Sequence, residues 1–357
     1  MASYDVSLVT SGHDVADARL HRLVAALTDA GLTVEVLGLG DPAAAPATAS
    51  AVRARPRRGA AGRLADAVAG PWRAHGRVIL VVDPDSVPSA WLHRLTGRRL
   101  VVDVHEDYAA LLADRSWAHG VVGGIARAGT GLASSLARRA DLTVVADAHV
   151  PPGDARQRLV LRNLPYGGYL PGPTNADAEP RALHVCDLRR SRGLFDMVEA
   201  VAAAPGWTLD LVGPVAAADA AELDRRLATA DLAGRVRLHG RRPPHEAWAL
   251  ARGAWVGLSL LHDTPAFRDA VPTKVYEYLG CGLPVVATPL RRQAELVTSA
   301  GAGVVVADAA AAAAALTAYV ADPALLAAHR DAARAWSGED AAAYDAFVDA
   351  VRALVNR

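Results

Sequence analysis

The sequence predicts an α/β protein built from two doubly wound parallel-sheet domains. Three observations support this class. Short apolar segments rich in β-branched residues alternate with helical patterns in both halves of the chain. The chain has 357 residues, more than one ordinary hydrophobic core holds. A Pro- and Gly-rich segment, residues 165–180, separates the two series of elements.

The first half of the chain has a regular strand–helix rhythm. Helical patterns cover residues 15–30, ended by Gly31, and residues 125–139. Apolar runs predict strands at 5–10, 33–37, 77–82, 99–104 and 142–146. Since strands that alternate with helices usually pair in parallel, we expect a first domain at residues 1–165.

The same rhythm restarts after a linker that we place at residues 166–180. Strands are predicted at 182–186, 208–212, 236–238, 254–260, 283–287 and 303–306, with helices at 193–204 and 341–355. We expect a second domain at residues 181–340, and a closing helix, about 341–357, that packs back on the first domain. Ligands bind such sheets at the carboxyl ends of the strands. Two facing domains therefore predict a substrate cleft.

Composition and charge narrow the class of protein. The formal net charge is +0, and no nucleic-acid-binding pattern occurs, so we expect no nucleic-acid partner. Two distant cysteines, Cys186 and Cys281, fit a reducing cytoplasm and disfavour a zinc site or a disulfide framework. No charge-free run of about 18 apolar residues occurs, so no transmembrane helix is expected. We expect a cytoplasmic protein, and the sequence leaves its oligomeric state open.

The segment after the first predicted strand argues against two common nucleotide-binding classes. It reads Ser11-Gly12-His13-Asp14 and lacks the Gly-x-Gly-x-x-Gly pattern of dinucleotide-binding dehydrogenases. No Walker A pattern occurs anywhere, which excludes a P-loop NTPase.

Residues 269–288 are the strongest functional signal in the chain. Lys274 and Glu277 fall with Tyr278 and Cys281 on one face of a short predicted helix, because they are spaced by three, four and seven positions. Lys274 is the only lysine among 38 basic side chains. Its presence indicates that a compact, flexible ammonium is needed here. The alternative is chance survival at a solvated helix start.

A second unusual stretch, residues 41–76, is rich in Ala and Pro and then becomes strongly basic. One acid, Asp66, accompanies Arg53, Arg55, Arg57, Arg58, Arg63, Arg73 and Arg77. Two interpretations stay open. The stretch is a solvated loop and helix face, or it contacts anionic lipid head groups or a pyrophosphate-bearing acceptor with the help of Trp72. The second interpretation places residues 53–77 against the inner face of the plasma membrane.

Eight segments occur in an order that one protein family shows. They are Asp14-Val-Ala-Asp-Ala-Arg19, Leu27-Thr-Asp-Ala-Gly-Leu-Thr-Val34, Val102-Asp-Val-His-Glu106, Leu161-Arg-Asn-Leu-Pro165, Val185-Cys-Asp-Leu-Arg-Arg-Ser-Arg-Gly193, Leu211-Val-Gly-Pro214, Leu238-His-Gly240 and residues 269–288. The ordered set, which spans nearly the whole chain, resembles the GT-B-fold retaining glycosyltransferases of family 4. The resemblance implies two Rossmann-like domains facing across a cleft.

The resemblance also implies a donor site. Glu277 would accept hydrogen bonds from the ribose hydroxyls, and Asp269, eight positions earlier, would face the donor sugar. Lys274 and Arg192 would stabilise the departing diphosphate. Gly12 would let backbone amides approach the donor phosphate. Structural alternatives stay open: an ion pair for Glu277, an ordinary loop acid for Asp269, a solvated cation for Arg192 and a simple turn for Gly12.

His105 and Glu106 follow a predicted strand, and the resemblance implies that they lie on the acceptor side of the cleft. A histidine there can orient acceptor or donor hydroxyls. The alternatives are a capping or core histidine and a surface salt bridge for Glu106. Because retaining members of this fold are thought to pass the acceptor proton to the leaving phosphate, no side-chain nucleophile is needed. The expected catalytic residues are His105, Asp269 and Lys274.

The chain departs from the family pattern at two places. Asp187 follows Cys186 where the family usually has Gly-Arg, although Arg189 or Arg190 could compensate. Residues 289–293 replace a Gly-Gly pair that touches the donor in many members. These departures leave the identity of the donor sugar open.

The expected function is transfer of a hexosyl group from a UDP- or GDP-sugar to a hydroxyl of a glycan, lipid-linked or small-molecule acceptor. The resemblance places this in bacterial polysaccharide biosynthesis, without a cofactor or a metal ion. Two alternatives are kept: a catalytically weakened auxiliary subunit, favoured by Asp187 and the missing glycines, and a GT-B sugar-nucleotide epimerase.

Overall fold

The protein consists of two compact units, each built around one parallel sheet. The structure is a computed structural model that describes residues 3–113, 120–166, 170–265, 267–268, 273–336 and 341–357. Unit 1 comprises Met1–Gly167 together with Glu339–Arg357, and unit 2 comprises Gly168–Gly338. The expected α/β class with two doubly wound sheets is confirmed.

Unit 1 contains a sheet with the strand order β3-β2-β1-β4-β5-β6-β7, in which all the pairs are parallel. Its strands are β1 (Tyr4–Asp14), β2 (Val34–Leu39), β3 (Ala51–Arg55), β4 (Gly76–Val81), β5 (Arg99–Val104), β6 (Leu142–Val145) and β7 (Arg158–Val160). Its first helices are α1 (Ala18–Asp29), α2 (Ala60–Ala69), α3 (Val87–His93), α4 (Tyr108–Ala113) and α5 (Gly120–Ala137). Short 3₁₀ turns lie at Pro42–Ala44, Pro71–Arg73, Pro84–Ser86 and Arg94–Thr96.

Two strands of this sheet are absent from the sequence prediction. β3 is an edge strand whose side chains are half-buried or exposed, and its sequence Ala-Val-Arg-Ala-Arg lacks the apolar run of a central strand. β7, at the other edge, has three residues. Edge strands of this kind carry little hydrophobic pattern, whereas the buried β5 has the bounds that its apolar run predicts.

Unit 2 contains a sheet with the strand order β10-β9-β8-β11-β12-β13, again with parallel pairs. Its strands are β8 (Arg181–Val185), β9 (Thr208–Val212), β10 (Val236–Leu238), β11 (Val256–Ser259), β12 (Val285–Ala287) and β13 (Gly303–Val305). Its helices are α6 (Leu194–Ala203), α7 (Ala217–Leu227), α8 (Pro244–Ala249), α9 (Thr273–Gly280), α10 (Arg291–Ala300), α11 (Ala309–Ala321) and α12 (Pro323–Ala335), with a 3₁₀ turn at Arg190–Arg192.

Within the described ranges, no single helix has both the length and the apolar composition to cross a membrane. α11 and α12 reach those limits only when they are counted together, across a bend of 103°.

The last helix of the chain, α13 (Ala341–Val355), belongs to unit 1 although it follows unit 2 in sequence. Phe347 and Val351 are fully buried in the same hydrophobic cluster as Val6 and Leu8 of β1. Arg352 fixes the end of α1 by donating a hydrogen bond of 2.9 Å to the Ala30 carbonyl oxygen. Both ends of the chain therefore build one core.

Each sheet reverses its strand order once, and the reversals locate the candidate site. In unit 1 the chain steps outward from β1 to β3 and returns to place β4 on the other side of β1. In unit 2 it does the same around β8, which lies between β9 and β11. Crevices at the carboxyl ends of the strands beside such a switch point are the usual ligand sites of open α/β sheets.

Candidate active site

In unit 2, the chain leaves β8 through a tight turn that ends at Gly193. The φ angle of Gly193 is +78°, and a Cβ atom there would lie 1.9 Å from the Leu260 carbonyl oxygen. Glycine is therefore required. The contact brings the start of α6 against the end of β11, so the amide groups of this helix N-terminus lie at the switch point, where they can attract an anion.

The short helix α9, which spans Thr273–Gly280, carries the strongest sequence signal. Lys274 and Glu277 are each only 4% exposed. Tyr278 and Cys281 are buried on the same face, as their spacing predicts. Lys274 therefore does not lie at a solvated helix start.

The Lys274 ammonium is a buried cation. Burial lowers the pKa of Lys274, and this outweighs the opposing effects of Cys186 and Glu277. No carboxylate forms an ion pair with Lys274 in the part of the chain that the structure describes. Because burying a charge without a partner is costly, this arrangement favours the binding of an anion.

Arg192 and Cys186 extend this cationic cluster. The Arg192 guanidinium donates a hydrogen bond to the Cys186 sulfur and lies 5.6 Å from the ring centre of Phe267. Burial raises the pKa of the Cys186 thiol, but the charges of Lys274 and Arg192 outweigh burial, so that this pKa lies below its usual range. The β8–α6 turn and α9 thus place two cations around one sulfur atom.

The two arginines expected to compensate for Asp187 are both held by carboxylates. Arg189 donates a hydrogen bond of 3.3 Å to Asp187. Arg190 pairs with Glu222 and stacks at 4.3 Å over the Phe195 ring. A cavity of about 450 Å³ opens at this edge, lined by Arg189, Arg190, Ser191, Ala216, Asp219 and His262.

In unit 1, the last residues of β1 are tied to Asp83, which follows β4. The amides of Ser11 and Gly12 donate hydrogen bonds of 2.9 and 3.1 Å to one oxygen of Asp83, and the His13 amide donates to the Thr10 hydroxyl at 2.8 Å. The amides that we expect to approach the donor phosphate are therefore engaged within unit 1. Gly12 also leaves room for Arg63, whose guanidinium carbon would lie 2.8 Å from an added Cβ.

Two neighbouring histidines at this sheet edge differ in protonation, because their pKa values are shifted in opposite directions. His13 Nδ1 lies 3.1 Å from Asp83, and the rings of His13 and His105 meet edge to face at 4.8 Å. Burial opposes protonation of His13, but Asp83 together with Asp17 raises its pKa to about 9. Burial and the His13 cation lower the pKa of His105. At pH 7 His13 is charged and His105 is neutral.

Three of the family-like segments meet at one buried ion pair. Arg19 donates two hydrogen bonds of 2.5 Å to Asp103 and a third to the Asn163 side chain. Arg19 is 7% exposed and Asp103 is 1% exposed. Through Arg19, this cluster connects α1, β5 and the segment around Asn163, and it fixes the strand that His105 directly follows.

The expected site residues therefore fall into two groups. Unit 2 brings Arg192, Lys274 and Glu277 together around the switch point beside β8. Unit 1 places His105 and Glu106 after β5 and Gly12 within β1, with the exposed Glu106 raising the pKa of His13. Asp269 lies outside the described residues.

Several residues of the site are missing from the sequence prediction: His13, Asp83, Tyr108 and Cys186. Two of them mark the carboxyl ends of predicted strands, since Asp83 follows the run 77–82 and Cys186 ends the run 182–186. Because parallel strands meet at their carboxyl ends, combining the strand prediction with this rule would have identified them. Within the described ranges, no group of three or more His, Cys, Asp or Glu side chains could hold a metal ion.

Comparison with known proteins defines the class of this fold. The chain has the GT-B fold, and the solved structures that resemble it include sucrose-phosphate synthase from Thermosynechococcus elongatus, with a TM-score of 0.70 and 19% identity over 99% of both chains. HepE from Anabaena in complex with UDP-glucose has a TM-score of 0.67 and 18% identity over 98% of this chain and 97% of its own. WaaG, a glycosyltransferase involved in lipopolysaccharide biosynthesis, has a TM-score of 0.62 and 13% identity over 97% and 99%.

Residues 179–322, most of unit 2, match the family model of the glycosyl transferases group 1. No curated protein sequence matches the chain. The family match and the fold together support a GT-B glycosyltransferase.

Proposed function

We propose that the protein is a retaining glycosyltransferase that transfers a hexosyl group from a UDP- or GDP-sugar to an acceptor hydroxyl. The observation that carries this proposal is the buried Lys274–Glu277 face of α9 beside Arg192. The solved HepE complexes with UDP and with UDP-glucose favour a UDP-sugar as the donor.

The proposed reaction breaks the bond between the anomeric carbon and the diphosphate oxygen, and it forms a bond from the acceptor oxygen to the same face of that carbon. The acceptor proton passes to the leaving phosphate oxygen. Lys274 and Arg192 meet the negative charge that develops on the diphosphate, which is the charge that fixed cations stabilise best. Glu277 accepts hydrogen bonds from the ribose, His105 orients a hydroxyl, and Asp269 is assigned to the donor sugar. No metal ion or other cofactor has a step in this scheme.

Nucleotide binding is the first test of this proposal. At about 100 times its dissociation constant, a ligand of the native state adds about 2.7 kcal/mol of stability, or roughly 5–10 °C in Tm. We expect one of UDP, GDP, ADP, dTDP and CMP to raise the Tm by such an amount. Because Glu277 would bind the ribose, Glu277→Ala should abolish this shift while leaving the Tm of the free protein within a few degrees.

Glu295→Ala is a matched control, since Glu295 is an exposed glutamate of the same unit. It should retain the full nucleotide shift, because exposed ion pairs contribute little to stability. If no nucleotide stabilises the folded protein, the proposed function fails. The auxiliary-subunit interpretation would then be preferred, since Asp187 already engages Arg189.

We also propose that unit 1 contacts an anionic membrane through residues 53–77, at the inner face of the plasma membrane. Leu64, Val68 and Trp72 recur every four residues, and they are 61%, 55% and 52% exposed. Arg57 and Arg58, exposed just before α2, form no ion pair among the described residues. Arg57 does donate a hydrogen bond of 3.3 Å to the Gly12 carbonyl oxygen. Apolar side chains beside cations without a carboxylate partner are typical of interfacial binding.

The other arginines of this stretch are less available than their number suggests. Carboxylates hold four of them: Arg53 pairs with Glu35, Arg55 and Arg73 pair with Asp66, and Arg63 pairs with Asp85. Two of these pairings involve acids outside the basic run, Glu35 and Asp85. The membrane contact therefore rests on the apolar stripe and two arginines. A lipid-linked acceptor would fit this contact.

Vesicle sedimentation tests the membrane contact. Replacing Leu64, Trp72, Arg57 and Arg58 together by serine should weaken binding to vesicles with anionic lipid by at least tenfold, because each arginine near such a surface contributes about 1 kcal/mol. Val305→Ser with Val320→Ser, two exposed apolar positions of unit 2, is the control and should bind normally. Equal binding by both variants would disprove the contact.

A further inference from the structure

Tyr108, the first residue of α4, lies against His105 at the carboxyl end of β5, and the mechanism above gives it no task. Its hydroxyl oxygen is 3.0 Å from the Val82 carbonyl oxygen and 3.3 Å from His105 Nδ1. The two rings meet edge to face, with centroids 5.7 Å apart. The phenol therefore connects the end of β4 to the ring of the expected catalytic histidine.

The single proton of this phenol can serve only one of its two neighbours. A carbonyl oxygen can only accept, so the shorter contact is a hydrogen bond from the Tyr108 hydroxyl to Val82. Burial raises the pKa of Tyr108 well above its usual range, so the phenol retains this proton. The Tyr108 oxygen can then only accept from His105, and His105 Nδ1 must carry a hydrogen.

The protonation state of the other ring nitrogen of His105, Nε2, follows from this. Burial and the cations of His13 and Arg19 disfavour protonation of His105, whereas Asp103 and Glu106 favour it, and the net effect lowers its pKa. A neutral ring with hydrogen on Nδ1 has a lone pair on Nε2. Among the described residues, no hydrogen bond reaches His105 Nε2.

We propose that Tyr108 fixes the Nδ1–H tautomer of His105, so that Nε2 accepts a hydrogen bond from a hydroxyl group of the bound sugar. The ligand in this inference rests on the proposed function, whereas the tautomer does not. Tyr108 acts through His105 and is a positioning residue. An unprotonated Nε2 selects for a hydroxyl donor and against a phosphate or carboxylate oxygen, which offer no proton at neutral pH.

The tautomer can be measured directly in the full-length protein without any substrate. In ¹⁵N-labelled protein, histidine ring shifts distinguish a protonated Nδ1 from a protonated Nε2, and loss of signals in His105→Gln assigns the ring. We expect the wild-type protein to show hydrogen on Nδ1 and Tyr108→Phe to shift the ring toward the Nε2–H form. Tyr4→Phe, which alters the opposite end of β1, is the control and should leave the ring unchanged.

A wild-type ring with hydrogen on Nε2, or a Tyr108→Phe ring identical to wild type, would overturn the proposal. The ligand is tested by adding UDP and then UDP-glucose at concentrations that saturate the Tm shift. The His105 Nε2 shift should move with UDP-glucose and stay constant with UDP. Movement with both, or with neither, contradicts the hydroxyl contact. If neither compound binds, the proposed UDP-sugar function fails while the tautomer result stands.

In steady-state kinetics, Tyr108→Phe should raise the KM for the sugar donor by about tenfold, with a smaller change in kcat. Tenfold is the upper range for the loss of one neutral hydrogen bond. A purely structural role of Tyr108 would instead lower the Tm and leave the KM unchanged.

Discussion

Replacing Lys274 by alanine should reduce sugar transfer by about 100- to 1,000-fold, the usual cost of removing one fixed group that stabilises transition-state charge. The ammonium is buried, carries no carboxylate ion pair among the described residues, and lies with Arg192 beside Cys186. The negative charge of the leaving diphosphate would give the Lys274 ammonium an anionic partner. Initial rates of nucleoside diphosphate release with saturating donor measure this effect.

Lys274→Met separates this role from a structural one. Methionine preserves the length and apolar contacts of the side chain and removes a charge whose burial is costly. We therefore expect a Tm equal to or above that of wild type, with the same loss of rate as in Lys274→Ala. A variant that unfolds, or one that transfers sugar at the wild-type rate, would contradict the role assigned to Lys274.

Arg19→Met should destabilise the protein by about 3–5 kcal/mol, because it leaves the Asp103 carboxylate buried without its partner. Asn163 would also lose the guanidinium that it binds. Urea unfolding followed by far-UV circular dichroism, with separate Tm measurements, reports this cost. His105 lies two positions after Asp103, just past the end of β5, so sugar transfer should fall as well.

Arg226→Met is the matched control for the buried ion pair. Arg226 makes bidentate contacts with Glu199 and Asp231, but both acids are about half exposed, at 48% and 50%. Its loss should cost at most about 1 kcal/mol, as for other exposed ion pairs. An equal loss of unfolding free energy in the two variants would show that burial does not increase the contribution of the Arg19–Asp103 pair to stability. The double variant Arg19→Met with Asp103→Leu should recover much of the lost stability.

The sequence predicts the central strands and the α9 face well because both depend on local pattern. The run 208–212 gives β9 with its observed bounds, since Leu209, Leu211 and Val212 keep the apolar pattern of a buried strand although Asp210 interrupts it. Lys274 and Glu277 are found on one buried face because helical spacing alone decides which residues share a face.

The residues that the sequence does not predict depend on contacts between distant segments. His13 gains its charge from Asp83, 70 positions away, and no local pattern contains that pairing. The positive charge of Lys274, a residue far along the chain, lowers the pKa of Cys186. Two arginines of the basic stretch are likewise paired with acids outside it, Glu35 and Asp85. The order of the strands in each sheet decides which distant segments become neighbours, and a list of predicted strands does not contain that order.

The place of α13 in the core of unit 1 has a consequence for synthesis of the chain. A ribosome releases the N-terminal strands early, yet Phe347 and Val351 of the same hydrophobic cluster emerge only after unit 2. Unit 1 therefore cannot close its core during translation, whereas unit 2 has all of its sequence available before the end. The nascent N-terminal half must wait, with an apolar groove exposed, for the whole of unit 2 to be made. Chaperone dependence is thus expected to fall on the first half of the protein.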